Sequence, residues 1–99
     1  MAELTGKQRR YLRGLGQALT ATLHVGHEGV SDAVVTQADV QLTAHELLKV
    51  RVSDNAPESR HDVAATLAAR AGAELVQVLG RTALLYRARP GDPTITLPV

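Results

Sequence analysis

The sequence predicts a single compact α/β domain in which three helices alternate with the strands of a four-stranded mixed sheet. Three observations predict this class. The chain has 99 residues, the usual size of one domain. Apolar residues recur at helical spacing in three segments, and they alternate with polar residues in the segments between. A glycine-first turn near the end of the chain joins two consecutive strands. The predicted order is therefore α-β-α-β-α-β-β. The strand-helix-strand alternation favours a mainly parallel sheet, to which the final hairpin adds an antiparallel strand.

The first helix is predicted to begin after Thr5, which forms a capping box with Gln8. Arg9, Arg10 and Arg13 fall on one side of this helix, so we expect a basic face exposed to solvent. The apolar positions fall on the other side and are expected to face the core: Tyr11, Leu12, Leu15, Ala18 and Leu19.

The middle of the chain predicts two further strand and helix pairs. Residues 21–25 alternate as in a short strand, and Ser31 is a suitable N-cap for a second helix that runs to about His45. Residues 48–52 alternate again and predict a second strand. Pro57 is expected at the first position of a third helix, which Gly72 ends.

The last third of the chain predicts a hairpin and a tail. An apolar run at residues 75–79 indicates an interior strand, and Gly80 and Arg81 form a tight turn into a strand at residues 82–87. Proline and glycine interrupt regular structure beyond residue 88, although residues 95–97 are compatible with a short edge strand. We therefore predict a domain at residues 1–87 and a C-terminal tail at residues 88–99.

Composition excludes several classes of function. Hydrophobic residues make up 44% and charged residues 21% of the chain, which is typical of a globular protein. The absence of cysteine excludes disulfides, iron–sulfur clusters and thiolate zinc sites. Neither a P-loop nor a nucleophile elbow is present, and the four histidines belong to no metal-binding motif. We expect no enzyme activity, no metal and no cofactor. With no apolar leader in the sequence, a cytoplasmic protein is expected.

The net charge of +1 conceals a marked asymmetry. Residues 1–27 contain four basic residues and one acidic residue, a net charge of +3. Residues 28–74 have a net charge of −4, and the remaining residues have +2. This distribution points to an anionic partner that contacts both ends of the chain.

Gly26 and Gly29 enclose the most distinctive local motif, a glycine loop between the first strand and the second helix. Two glycines leave room for a phosphate to approach the backbone amides, and the following helix N-terminus favours an anion. An ordinary tight turn would also use these glycines, and Glu28 opposes an anion. Arg81 and Arg87 could extend the same basic surface as the first helix.

Together these segments resemble the YhbY family, the stand-alone bacterial form of the CRM (chloroplast RNA splicing and ribosome maturation) domain. The resemblance covers nearly the whole chain. It is carried by residues 4–13 (LTGKQRRYLR), 25–30 (VGHEGV), 45–52 (HELLKVRV), 72–82 (GAELVQVLGRT), 85–87 (LYR) and 95–98 (ITLP).

The resemblance implies a fold similar to the C-terminal domain of bacterial translation initiation factor three. It also implies RNA binding through the glycine loop and the nearby basic surface, and association with precursors of the large ribosomal subunit. The RNA-binding residues predicted in this way are Lys7, Arg9, Arg10, Arg13, Gly26, His27, Glu28, Gly29 and Arg81. His27 stands where the family usually has lysine, so we expect loop binding to weaken near neutral pH and to strengthen as the pH falls.

A second interpretation remains open at this stage. The acidic middle of the chain or an exposed sheet edge could recruit a basic ribosomal protein without direct RNA contact. Under either interpretation we expect a monomer with no membrane contact and no small-molecule substrate.

Overall fold

A computed structural model describes residues 3–99 of the chain. Its elements follow the predicted order and confirm the predicted fold class. They are α1 (Gly6–Gln17), β1 (Leu23–Val25), α2 (Asp32–His45), β2 (Leu47–Val52), α3 (Arg60–Ala71), β3 (Glu74–Leu79) and β4 (Thr82–Tyr86).

The four strands form one mixed sheet in the order β1-β2-β4-β3. As predicted, the hairpin adds the antiparallel strand, and β1, β2 and β3 run in the same direction, but the position of β4 inside the sheet was not predicted. β1 pairs with β2 in parallel, but β4 lies between β2 and β3 and is antiparallel to both. The reason is the tight hairpin, which returns the chain beside β3 and fills the position that a parallel β3 would have taken next to β2.

This topology brings three connections to one end of the sheet. β1 and β2 end side by side, with Val25 opposite Val52, and Arg51 lies opposite Thr82 at the start of β4. The glycine loop, the connection at residues 53–59 and the β3–β4 turn therefore lie at the same end. We call it the loop end of the sheet.

The two faces of the sheet are covered differently. α2 and α3 pack on one face, where the core includes Val25, Leu42, Val50, Leu67 and Leu85. α1 and the tail cover the other face around a smaller cluster of Leu4, Leu12, Leu47, Val76, Leu84 and Tyr86. Because side chains alternate along β2, Lys49 and Arg51 lie on the α1 side of the sheet.

α1 confirms its predicted capping box but is rotated relative to the prediction. Of the five apolar positions expected in the core only Leu12 is buried, and Tyr11 is 43% exposed. Gly16 explains the rotation, because a Cβ there would lie 2.6 Å from Cδ2 of Leu84. The helix therefore approaches the sheet through Leu12 and Gly16, and this rotation also turns Arg9 toward the sheet.

The start of α3 also differs from the prediction. Pro57 precedes the helix, whose N-cap is Ser59, because the Ser59 hydroxyl accepts a hydrogen bond from the Asp62 amide at 3.1 Å. Gly72 ends α3 in the left-handed conformation, as predicted. β1 is shorter than predicted and begins at Leu23.

The tail at residues 88–99 is held by a buried carboxylate, and the possible edge strand at residues 95–97 does not form. Glu46 is completely buried. It accepts hydrogen bonds from the backbone amides of Arg89, Thr94 and Ile95 at 2.7–2.8 Å and from the Thr94 hydroxyl at 2.5 Å. Ile95 and Leu97 pack against the cluster under α1.

The electrostatics of Glu46 follow from these contacts. Burial alone would raise the pKa of its carboxyl group, but the hydrogen bonds from the Thr94 hydroxyl and the three amides lower the pKa to about 2. Burial, together with the nearby charge of Glu46, raises the pKa of Tyr86. The carboxylate is therefore charged at neutral pH, and its negative charge fixes the tail.

Candidate nucleic-acid interface

The glycine loop is a tight turn at the loop end of the sheet. The Gly29 amide donates to the Gly26 carbonyl at 3.0 Å, and the Ser31 amide donates to the Gly29 carbonyl at 3.0 Å. Within residues 3–99, the amides of His27 and Glu28 donate to no acceptor, and both side chains are exposed. The loop therefore offers two neighbouring backbone donors to a ligand.

The two loop glycines have different physical requirements. Gly29 is buried and has a φ of +68°, and a Cβ there would lie 3.1 Å from Cγ of Pro57. The fold itself therefore requires glycine at this position. Gly26 does not adopt a positive φ, and no atom lies within 4 Å of the position of a Cβ. Nothing in the fold requires glycine at position 26, whereas a ligand that approaches the backbone closely would.

The loop is held in place from both sides. On one side Pro57 packs against Gly29, and the Ser53 amide donates to the Val25 carbonyl at 2.9 Å. On the other side Arg70 of α3 donates to the Val30 carbonyl at 2.7 Å and to the Asp32 carboxylate at 2.6 Å. These contacts preorganise the loop, so that a ligand bound there does not have to order it.

The N-terminus of α2 is less available to an anion than the loop. Ser31 caps the helix by accepting a hydrogen bond from the Val34 amide at 3.2 Å. Asp32 places a carboxylate in the first turn, where it already interacts with the positive end of the helix dipole. The accessible donors are therefore the amides of His27 and Glu28.

The basic residues of α1 occupy three different environments. Lys7 and Arg10 are exposed, and the Lys7 ammonium group donates to the Val99 carbonyl at 3.3 Å. The Arg9 guanidinium instead donates to the Leu75 carbonyl of β3 at 2.6 Å. The expectation that Arg9 lies on an outward basic face is therefore wrong. Arg13 is half-buried and lines a shallow depression over β3 and β4.

Further basic side chains lie at the loop end. Arg81 in the hairpin turn pairs with Asp54, with 2.5 Å between Arg81 Nε and Asp54 Oδ1. Arg51 is exposed on the α1 side of β2 and was not among the binding residues predicted from the sequence. The alternation of Lys49 and Arg51 with buried valines was a signal that could have identified it. Lys49 itself donates to the Gly16 carbonyl at 3.2 Å at the C-terminal end of α1.

Arg87, considered as an extension of the basic surface, lies at the opposite end of the sheet. It donates to the Ala71 carbonyl at 2.8 Å and pairs with Asp39 at 2.9 Å. Nowhere in residues 3–99 do three or more histidine or acidic side chains gather as a metal site would require. In the same part of the chain, no helix has the length and apolar character to cross a membrane.

These features define a small α/β domain with a braced glycine loop, free backbone amides and the guanidinium groups of Arg51 and Arg81 at the same end of the sheet. Such an arrangement is suited to binding phosphate groups. The chain belongs to the CRS1/YhbY (CRM) domain family, whose model matches residues 4–87.

Individual relatives agree with this assignment. The chain is 41% identical over 95 residues to the probable RNA-binding protein YqeI of Bacillus subtilis, covering 96% of this chain and 99% of the relative. It is 38% identical over 91 residues to the probable RNA-binding protein MJ0652 of Methanocaldococcus jannaschii, covering 90% of this chain and 67% of the relative. The solution structure of the hypothetical protein SAV1595 from Staphylococcus aureus superposes with a TM-score of 0.82 at 36% identity. That match covers 97% of this chain and 100% of the other.

Proposed function

We propose that the protein is a non-enzymatic RNA-binding protein of the cytoplasm that associates with ribosomal RNA in precursors of the large subunit and assists their assembly. The observation that carries the proposal is the loop geometry. Gly26 opens the backbone to a phosphate where the fold itself does not require glycine, next to two free amides. The names of the relatives support RNA as the source of that phosphate.

In the proposed mechanism the backbone of the loop binds the backbone of the RNA. The amides of His27 and Glu28 donate to phosphate oxygens. The exposed charges of Lys7 and Arg10, with that of the half-buried Arg13, attract the RNA over a longer range. Arg81 adds a guanidinium at the loop end. Base stacking is limited to Tyr11, which is exposed on α1, because Tyr86 is buried in the sheet. The protein therefore recognises RNA shape and charge more than its sequence.

The association with large-subunit precursors follows from the family resemblance and is the part of the proposal that a cell lysate tests best. We expect the protein to sediment with large-subunit precursors in a sucrose gradient and to move to the top of the gradient after ribonuclease treatment. Sedimentation at the top without ribonuclease treatment would contradict the proposal. Co-sedimentation that survives complete RNA digestion would instead favour recruitment through a ribosomal protein.

One structural feature favours that alternative. An open, largely apolar depression of about 500 Å³ lies beside the C-terminal half of α1 and is lined in part by Leu15, Leu19, Leu47 and Ile95. Leu15 and Leu19 are 37% and 38% exposed. A cluster of exposed apolar side chains is typical of a surface that contacts another protein. Ribonuclease treatment therefore distinguishes the two interpretations, because it removes the RNA and leaves a protein contact intact.

A further inference from the structure

A second polar depression lies at the loop end of the sheet, beside the glycine loop. It has a volume of about 440 Å³ and is lined by His24, Arg51, Ser53, Asp54, Asn55 and Arg81. Its side chains come from β1, β2 and the two connections at that end. His24 lies opposite Arg51 in the sheet register, and both project to the α1 side.

The two arginines of this depression are available to a ligand in different ways. Arg51 is exposed, and its side chain forms no hydrogen bond or ion pair within residues 3–99. Arg81 has 47% of its side chain exposed, and its Nε group is held by Asp54. That contact uses one of the five N–H donors of the guanidinium group and fixes its direction. The remaining donors of Arg81 and all those of Arg51 can reach a ligand.

The depression directly adjoins the glycine loop. The Ser53 amide donates to the carbonyl of Val25, the residue before Gly26, so the wall of the depression begins one residue from the loop. A nucleic-acid strand carries one negative charge per nucleotide. A strand with one phosphate bound at His27 and Glu28 carries another phosphate one nucleotide further on, and the wall of the depression lies beside the loop.

We propose that this depression is a second phosphate subsite, in which Arg51 and Arg81 bind the RNA phosphate next to the one bound by the glycine loop. The subsite rests on the proposed RNA-binding function and deepens it. The planar guanidinium forks match phosphate oxygens, and Asp54 orients one of them before RNA arrives. Ser53 and Asn55 add neutral groups suited to ribose hydroxyls. The protein thus binds at least two consecutive nucleotides.

The first test compares Arg51→Ala with Arg89→Ala in binding to short fragments of hydrolysed large-subunit ribosomal RNA. Arg89→Ala is the matched control, because it removes the same charge from the opposite end of the sheet, where Arg89 donates to the Asp92 and Thr43 carbonyls. Arg51→Ala should weaken binding roughly tenfold at physiological salt, and Arg89→Ala should leave it nearly unchanged. Equal affinities of Arg51→Ala and the parent would overturn the subsite.

A second measurement separates failure of the subsite from failure of RNA binding itself. In ¹⁵N-labelled protein titrated with the same fragments, the Nε–H signals of Arg51 and Arg81 should shift together with the amide signals of His27 and Glu28. If only the loop amides shift, the subsite is wrong and the proposed function stands. If no signal shifts and no RNA is retained with the protein in filter binding, the proposed function is wrong and the proposed subsite is wrong as well.

Discussion

Gly26 and Gly29 have different structural requirements that their shared sequence motif does not reveal. The motif predicted a turn that could bind phosphate, but it could not distinguish the two glycines. The difference depends on the φ of Gly29 and on contact with Pro57, which lies 28 positions later in the chain. Tertiary structure therefore requires glycine at position 29 and places no such requirement on position 26.

The structural role of Glu46 was not predicted from the sequence. The residue was counted among the acidic residues of the middle segment, yet it is completely buried. Its partners are residues 89, 94 and 95, more than 40 positions away, and no local pattern marks such a contact. Glu46 also ends α2 in the left-handed conformation, with a φ of +66°. This conformation is unusual for a residue other than glycine.

We predict that Glu46→Gln destabilises the fold by roughly 2 kcal/mol at pH 7, because an amide group would face donors that now bind a carboxylate. The pKa of Glu46 is lowered from 4.5 to about 2, so its contribution to stability is present above pH 4.5 and is lost as the pH falls toward 2. Urea unfolding of both proteins at several pH values measures this. The difference in unfolding free energy should be largest at neutral pH and should shrink below pH 4.5. A difference that is absent at pH 7 would contradict the assigned role.

Among the elements, α1 shows that apolar periodicity predicts a helix without predicting which of its faces packs on the sheet. The capping box fixed its N-terminus, and the basic composition of the helix was evident. The rotation of α1 could not be predicted in this way, because the widest apolar arc of the helix is not the face that packs against the sheet. Close approach at Gly16 outweighs burial of Leu15 and Leu19, and it brings Arg9 to the irregular pairing near Leu75 in β3.

This orientation predicts different effects for neighbouring arginines of α1. If the protein neutralises about four to six phosphates, the logarithm of the binding constant should fall with the logarithm of salt concentration with a slope of roughly −3 to −5. Arg10→Ala should make that slope shallower by about one unit, because Arg10 is exposed. Arg9→Ala should leave the slope nearly unchanged and lower stability by about 1 to 3 kcal/mol, since it removes the hydrogen bonds to β3. RNA titrations at several salt concentrations, together with thermal melts, measure both effects. The reverse assignment would show that Arg9 contacts RNA and Arg10 does not.

At the scale of the whole molecule, the sequence predicted the elements and their order but not their arrangement in the sheet. Placing β4 between β2 and β3 brings Arg81 next to Arg51 and close to the glycine loop. It is the packing of α3 beside α2 that brings Arg70 to Val30. Long-range packing determines which residues become neighbours. The local glycine motif therefore identifies the loop but not the residues that hold it in place.

If the backbone of the glycine loop binds RNA phosphate, Gly26 is the position at which a substitution tests this without disturbing the fold. A side chain there meets open space, so Gly26→Ala and Gly26→Asp should both melt close to the parent. In Gly26→Asp a carboxylate would lie beside the free amides and repel phosphate. Glu28→Lys is the charge control and should bind RNA more tightly than the parent.

The most direct measurement is the affinity of Gly26→Asp for large-subunit ribosomal RNA at physiological salt, by filter binding alongside a thermal melt. We predict that the variant stays folded and loses RNA binding, with Gly26→Ala intermediate between it and the parent. A folded Gly26→Asp protein that binds RNA as tightly as the parent would show that the loop backbone does not bind phosphate.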